Sequence, residues 1–190
     1  MKPSFVFLAD GFEEIEALAV VDVMRRAGMD VHTVSIKSTC EVVGAHGIKV
    51  VADMIISDCN FNEADWLILP GGLPGASNLA ASEVLCAHLK SYTGRIASIC
   101  ASPGVVLAPL GLLEGKEATC YPGFDEPCIA AGATMQDMPV VVADNLITAN
   151  GPSAALRFAL AIVEHTLGAD VAQQVGSGML YYPESTDFYF

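Results

Sequence analysis

RIASICASPGVVLAPLGLL, residues 95–113, is the stretch on which the fold turns. RIASIC is a short apolar run bounded by Gly94 and by a Ser-Pro-Gly triplet, the pattern of a buried parallel strand. From Ser102 the sequence predicts a helix over 102–113, with Pro103 near the first turn, where a missing N–H is tolerated. Cys100 therefore stands at a turn from strand into helix. Two readings of it are open: the last buried residue of a strand, as small thiols often are, or a nucleophile presented sharply at the turn.

Working outward, the chain alternates between two kinds of segment. SFVFLA (4–9), DVHTVSI (30–36), ADWLILPGG (64–72) and KEATCYPG (116–123) read as strands. FEEIEALAVVDVMRRAG (12–28) reads as a helix, with acids in its first turn, Arg25 and Arg26 in its last, and Gly28 as a stop. SEVLCAHLKSYTG (82–94) and GPSAALRFALAIVEHTLG (151–168) are also helical. CEVVGAHGIKVVAD (40–53) reads as a hairpin around Gly44–Gly47, and PVVVADNLITA (139–149) as strand, Asp-Asn turn, strand. This alternation predicts an α/β doubly wound sandwich, with the site beyond the carboxyl ends of the strands. Three turns lie at such ends: ADGFEE, LPGG and ICASPG.

Composition narrows the function. The 190 residues suit a single domain, 1–190, without repeat or linker, and 53% hydrophobic against 16% charged residues excludes a disordered chain. So apolar a chain also suggests a subunit interface. The net charge of −13 repels phosphate backbones, so nucleic acid is not an expected partner. Apolar runs fall short of the ~20 residues of a membrane span. The start, MKPSFVFLADGFEE, does not read as a secretory signal, which places the protein in the cytoplasm with no membrane partner. Six cysteines without a C-x-x-C pair match no zinc template, so no metal is expected and most should be reduced packing thiols.

The chemistry centres on Cys100. A helix N-terminus there would stabilise a thiolate and lower the thiol pKa. The Ala101 N–H, directly after the nucleophile, is a natural oxyanion donor, and Gly71 or Gly72 could supply a second N–H with close substrate approach. Glu16 shares a helical stripe with Ala19, Val20, Val23 and Ala27. A carboxyl on such a stripe needs a partner or keeps its proton, and a protonated Glu can donate to a thiolate or shuttle a proton. The alternative is a solvated first-turn acid, as Glu13 and Glu14 are read. The histidines, His32, His46, His88 and His165, stand at no carboxyl end of a strand, so a Cys-His dyad is not evident.

ADGFEEIE, VMRRAG, LPGG, SICASPGVVL, TCYPG and NGPSAALRFALAIVE, in this order, resemble the ThiJ/PfpI superfamily, in the branch of the Parkinson-disease-associated protein deglycase and bacterial ThiJ-like proteins. The resemblance runs to about Val175. It implies a flavodoxin-like sandwich with a mainly parallel central sheet (class I glutamine amidotransferase-like), and a homodimer joined by the first helix and the hairpin region. It implies Cys100 as nucleophile, Glu16 as the protonated acid that tunes it, and Gly72 and Ala101 N–H groups as the oxyanion site. Gly71 and Tyr121 belong to the pocket, and Asn150, Gly151 and Pro152 to its mouth. The implied activity is cofactor-free conversion of α-oxoaldehydes such as methylglyoxal, or removal of early glycation adducts from thiols and amines. The alternative is a redox sensor or chaperone working through oxidation of Cys100.

The sequence departs from this pattern in three places. Tyr121 stands where relatives often carry His. A phenol with an ordinary pKa of ~10 is a poor base, which weighs most against a protease. Ser102 stands where Gly is frequent. The aromatic tail MLYYPESTDFYF (179–190) lies beyond the resemblance. Thiazole biosynthesis finds no support, since LPGGLPGAS does not fit a phosphate loop.

Overall fold

A computed structural model describes residues 1–181. SFVFL is apolar or small at every position and buried throughout, which suits a strand covered on both faces, and it forms β1 (Ser4–Leu8). The chain then runs through α1 (Glu14–Arg26), β2 (Val31–Ser35), the hairpin strands β3 (Glu41–Val43) and β4 (Lys49–Val51), β5 (Met54–Ile55) and β6 (Trp66–Leu69). It continues with α2 (Gly75–Ala81), α3 (Glu83–Ser91), β7 (Arg95–Ile99), β8 (Glu117–Ala118), α4 (Asp125–Ala130) and β9 (Thr134–Met135). The last elements among the described residues are β10 (Val140–Ala143), β11 (Leu146–Ala149), α5 (Ala155–Leu167) and α6 (Ala169–Gly178).

Among the described residues, seven strands form one sheet in the order β10-β11-β7-β6-β1-β2-β5. All neighbours run parallel except β10 against β11. The chain leaves β1 for β2 on one side and later returns to β6 on the other. The switch point therefore lies between β1 and β6, where the carboxyl ends of parallel strands open a crevice. One face is packed by α1 and α5 around Val20, Met24, Trp66, Phe158 and Ile162. The other holds Phe7, Leu67, Leu79, Leu85 and Leu89. The doubly wound α/β expectation holds, with β10 as its antiparallel edge.

Several expectations are corrected. The helix over 102–113 is not regular: Pro103–Leu107 coils as a wide π-type turn and Ala108–Leu110 as a 3₁₀ turn, ended by Gly111 at φ 72°. Pro109, in the interior of the expected helix, lacks an N–H group, so an unbroken α-ladder is unavailable. Of the strand expected over 116–123 only Glu117–Ala118 pairs, with Thr134–Met135, because the Tyr121 N–H turns inward to the Cys100 carbonyl at 2.9 Å. Glu13 and Glu14, read as solvated, are buried at 7% and 5% exposure. The short helices α2 and α4, and α6 beyond Gly168, are elements that the sequence reading does not predict. Most of the aromatic tail lies outside the described residues.

Phe158 is fully buried in the core shared by α1 and α5. Phe158→Ala should cost about 3–5 kcal/mol through lost burial and the cavity left behind, read as a lower midpoint in urea unfolding. A loss under about 1 kcal/mol would contradict this packing.

Candidate active site

Four short loops meet at the switch point: Gly11–Glu13 after β1, Pro70–Gly72 after β6, Cys100–Ser102 after β7 and Asn150–Pro152 after β11. Cys100 has φ 65°, a left-handed conformation unfavourable for any residue with a Cβ. Its backbone is pinned on both sides. Its N–H donates to the Ala149 carbonyl at 2.9 Å, and its carbonyl accepts the Tyr121 N–H at 2.9 Å. The strained turn swings the side chain off the strand towards α1, leaving the residue 8% exposed.

Glu16 approaches from α1 and is wholly buried. The Glu13 carboxylate caps the helix by accepting the Glu16 N–H at 2.8 Å. The Glu16 Oε2 accepts the Gly71 N–H at 2.7 Å, while Oε1 is buried without a hydrogen-bond partner. The Glu16 carboxyl also lies within hydrogen-bonding reach of the Cys100 thiol. Burial raises the Glu16 pKa to about 7, against the pull of the Gly71 N–H and the thiol, and nearby Glu13 raises it further. Glu16 therefore holds its proton well above the usual carboxylate range, and the reading of it as a solvated acid is excluded.

The thiol departs from expectation. Burial pushes Cys100 up to about 12, and the charge and lone pairs of ionised Glu16 add to this, while the N–H groups of Gly72 and Ala101 pull the other way. The turn into a helix therefore does not make a thiolate by itself. Two of the three opposing causes exist only while Glu16 is charged. Once Glu16 is protonated it can donate to sulfur and those two causes vanish, while burial, the largest, remains. Protonation of one carboxyl thus eases ionisation of the thiol.

Glycine is obligatory in the intervening loop. A Cβ on Gly71 would fall 2.6 Å from the Cys100 Cβ and 2.8 Å from the Glu16 Oε2. Gly72 has φ 85°, and a Cβ there would meet the Glu13 nitrogen at 2.4 Å. The structure thus brings Cys100, Glu16, Gly71, Gly72 and Ala101 together. Tyr121 is 46% exposed and lies at the rim, its ring close to Gly151. Asn150 and Pro152 flank Gly151 beyond β11, and the Asn150 N–H is directed to the Pro139 carbonyl at 3.0 Å.

Two contributors escaped the sequence. The buried Ser102 hydroxyl donates to the Pro70 carbonyl at 2.6 Å, tying the loop of Ala101 to the loop of Gly72. No local signal distinguishes such a serine from a packing residue. His46, in the hairpin turn, pairs with Glu14 of its own chain: Nδ1 lies 2.8 Å from Oε2, and the His46 N–H donates to Oε1 at 2.8 Å. Glu13, Glu14 and His46 bring ligand-type atoms within 4.8 Å of one another, but both Glu14 oxygens are already engaged by His46.

The fold and site together define a class: a doubly wound α/β protein with a strained cysteine at the sheet's carboxyl edge and a buried carboxyl beside it. The chain belongs to the DJ-1/PfpI family, whose pattern matches residues 4–165. It is 38% identical over 191 residues to Protein DJ-1 homolog B of Arabidopsis thaliana, covering 99% of this chain and 43% of that protein. The chain thus spans less than half the length of this plant relative. It is 37% identical over 161 residues to Glutathione-independent glyoxalase DJR-1.2 of Caenorhabditis elegans, covering 83% of this chain and 84% of the relative. Among solved structures, oxidized Toxoplasma gondii DJ-1 superposes with a TM-score of 0.89 at 37% identity, covering 95% and 99% of the two chains.

Two outcomes follow from this geometry. Between about pH 4.5 and 7 the folded protein keeps a proton on Glu16 that the unfolded chain releases. Its contribution is complete below that window and is lost as pH rises through about 7. Glu16→Gln should therefore remove a stability decline on the order of 3 kcal/mol across the window, read from denaturant unfolding at stepped pH. Ser102→Ala strands the buried Pro70 carbonyl and should cost about 1–3 kcal/mol. It should also change the rate of Cys100 alkylation by iodoacetamide; an unchanged rate and midpoint would show that the tie is idle.

Proposed function

We propose that this protein is a cysteine-dependent enzyme, needing no cofactor, that acts on small α-oxoaldehydes or on the early adducts they form with thiols and amines. The observation that carries this reading is the buried pair of Cys100 and Glu16, with the N–H groups of Gly72 and Ala101 beside the sulfur. The glyoxalase name of the nematode relative supports it.

Methylglyoxal illustrates the chemistry. The Cys100 sulfur adds to the aldehyde carbon, and the new oxyanion takes a proton, giving a hemithioacetal whose oxygen the two N–H groups hold. A carboxyl with a pKa of about 7 is suited both to accept and to return a proton. Glu16 takes the proton from the former aldehyde carbon and returns it to the neighbouring carbon through an enediol. The first carbon is oxidised to a thioester as the second is reduced to an alcohol, so no external electron carrier is needed. Water then cleaves the thioester, giving lactate and the free thiol. Tyr121, half exposed at the rim, shapes the entrance and serves as no base in this scheme.

A second reading draws on the same N–H groups. Aimed at sulfur, they suit a sulfinate, so oxidation of Cys100 by peroxide to a stabilised sulfinic acid would make the protein a redox sensor. The likeness to an oxidized Toxoplasma structure is in keeping with it. For the assembly, we place a homodimer contact on α1 and the hairpin. Ile15, Leu18, Ile48 and Val51 expose 58%, 38%, 52% and 76% of their surface there. No helix of the described residues is long and apolar enough to cross a membrane.

Lactate formation from methylglyoxal should vanish in Cys100→Ala and fall about 10²–10⁴-fold in Glu16→Gln. A fully active Cys100→Ala would end the enzymatic reading. Absence of turnover in the unmodified protein would leave the redox reading standing alone.

A further inference from the structure

Two buried thiols take no part in this chemistry. Cys120 follows β8, and Cys128 lies on α4, one turn past the chain reversal at Pro122–Gly123. The reversal is fixed locally. The Phe124 N–H donates to the Tyr121 carbonyl at 3.1 Å, and the Cys128 thiol donates to the Phe124 carbonyl at 3.4 Å. Upstream, the Thr119 N–H is held by the Thr148 hydroxyl at 2.9 Å. Side chains on a helix lean towards its N-terminus, so Cys128 is turned back to the segment that carries Cys120. Both lie in the same apolar core, exposed by 0% and 8%, and their thiols lie within hydrogen-bonding reach of one another. Cys59 and Cys86 are directed elsewhere, to the Met54 sulfur at 3.7 Å and the Ala80 carbonyl at 3.3 Å.

We propose that Cys120 and Cys128 are a redox-active dithiol that hydrogen peroxide closes to an intramolecular disulfide, a modification site distinct from Cys100. Two thiols within hydrogen-bonding reach need only side-chain rotation to approach bonding distance, whereas residues farther apart would need backbone movement. The cover over the pair is thin, since Tyr121, Pro122, Gly123, Glu126 and Pro127 are all exposed. The contact also makes the two thiols unequal. The Cys120 S–H supports a thiolate on Cys128 and holds that thiol below its ordinary value against burial, while Cys120 is raised by keeping the shared proton.

The thiolate of Cys128 attacks peroxide. A sulfur–oxygen bond forms, the oxygen–oxygen bond breaks, and the departing hydroxide takes the proton of Cys120 to become water. The Cys120 sulfur then displaces the second oxygen from Cys128, which leaves as hydroxide and is protonated by solvent. Two thiols and one peroxide become one disulfide and two waters, with the sulfurs oxidised and the peroxide oxygens reduced. The bridge would close over Tyr121, whose N–H holds the Cys100 carbonyl. The inference stands whether or not Cys100 processes a carbonyl.

The sequence makes the test direct. Lys116 and Arg157 are consecutive basic residues, so trypsin releases 117–157 as one fragment containing Cys120 and Cys128 and no other cysteine. Full-length Cys100→Ala is exposed to hydrogen peroxide while folded, then alkylated with iodoacetamide in denaturant and digested. The expected fragment is two hydrogens lighter, carries no alkyl group, and regains two alkylation sites after dithiothreitol. A fragment that still takes two alkyl groups, that gains oxygen without a bridge, or whose cysteines join another fragment would overturn the proposal. Cys128→Ser in the same background, checked for its fold by circular dichroism, should lose the light fragment; persistence of that fragment would also overturn it.

Discussion

The structure depends on one buried carboxyl. Glu16 is taken wholly out of water and given a Gly71 N–H on one oxygen, a thiol within reach, and no donor on the other oxygen. An ionised carboxylate in such a place is costly, and a proton removes the cost. Around it, the local backbone is less comfortable than a fold alone would require. Cys100 adopts a left-handed conformation, and Gly71 is compressed until no side chain fits. Strain of this kind persists only where surrounding bonds over-determine it. Here the Ala149 carbonyl and the Tyr121 N–H do so from either side of Cys100.

The sheet order explains why these groups converge. With β1 at the switch point and β6 and β7 beside it, the loops after three adjacent strands open on the same crevice. Glu13 and Glu16 reach it from the start of α1, the glycines from the loop after β6, and Cys100 and Ala101 from the loop after β7. Ser102 fastens the last two loops together at 2.6 Å. A thiol placed by so many fixed partners has its proton affinity set by position rather than by type. This is why Cys100 and the Cys120–Cys128 pair, all buried, differ in electrostatic character. The first answers to a carboxyl, the others to each other.

Much of this was legible because it follows from local rules. Short apolar runs between turn residues located β1, β2, the hairpin, β6, β7, β10 and β11, and helical patterns with their start and stop signals located α1, α3 and α5. Cys100 stood out because a strand ran into Pro103, and Glu16 because a carboxyl interrupted an apolar stripe. Most of the failures have a cause in tertiary contact, and one is local. The helix after Cys100 lost its regular ladder to Pro109, which has no N–H to give. The segment 116–123 gave up strand pairing because Tyr121 bonds inward to Cys100. Glu13 and Glu14 looked solvated because acids in a first turn usually are. One is spent on capping α1 and the other on the hairpin turn at His46.

By itself, then, the sequence determined the α/β layering, the strand-to-turn placement of Cys100, the odd carboxyl at Glu16 and the glycines that leave room between them. These are consequences of side-chain period, backbone permissiveness and solvation, all of which act within a few residues. Only the tertiary structure decided that burial raises both the carboxyl and the thiol, that Ser102 ties two loops, and that Cys120 meets Cys128. Each of these depends on dielectric surroundings and on partners supplied by distant or oppositely running segments, and no local pattern encodes them.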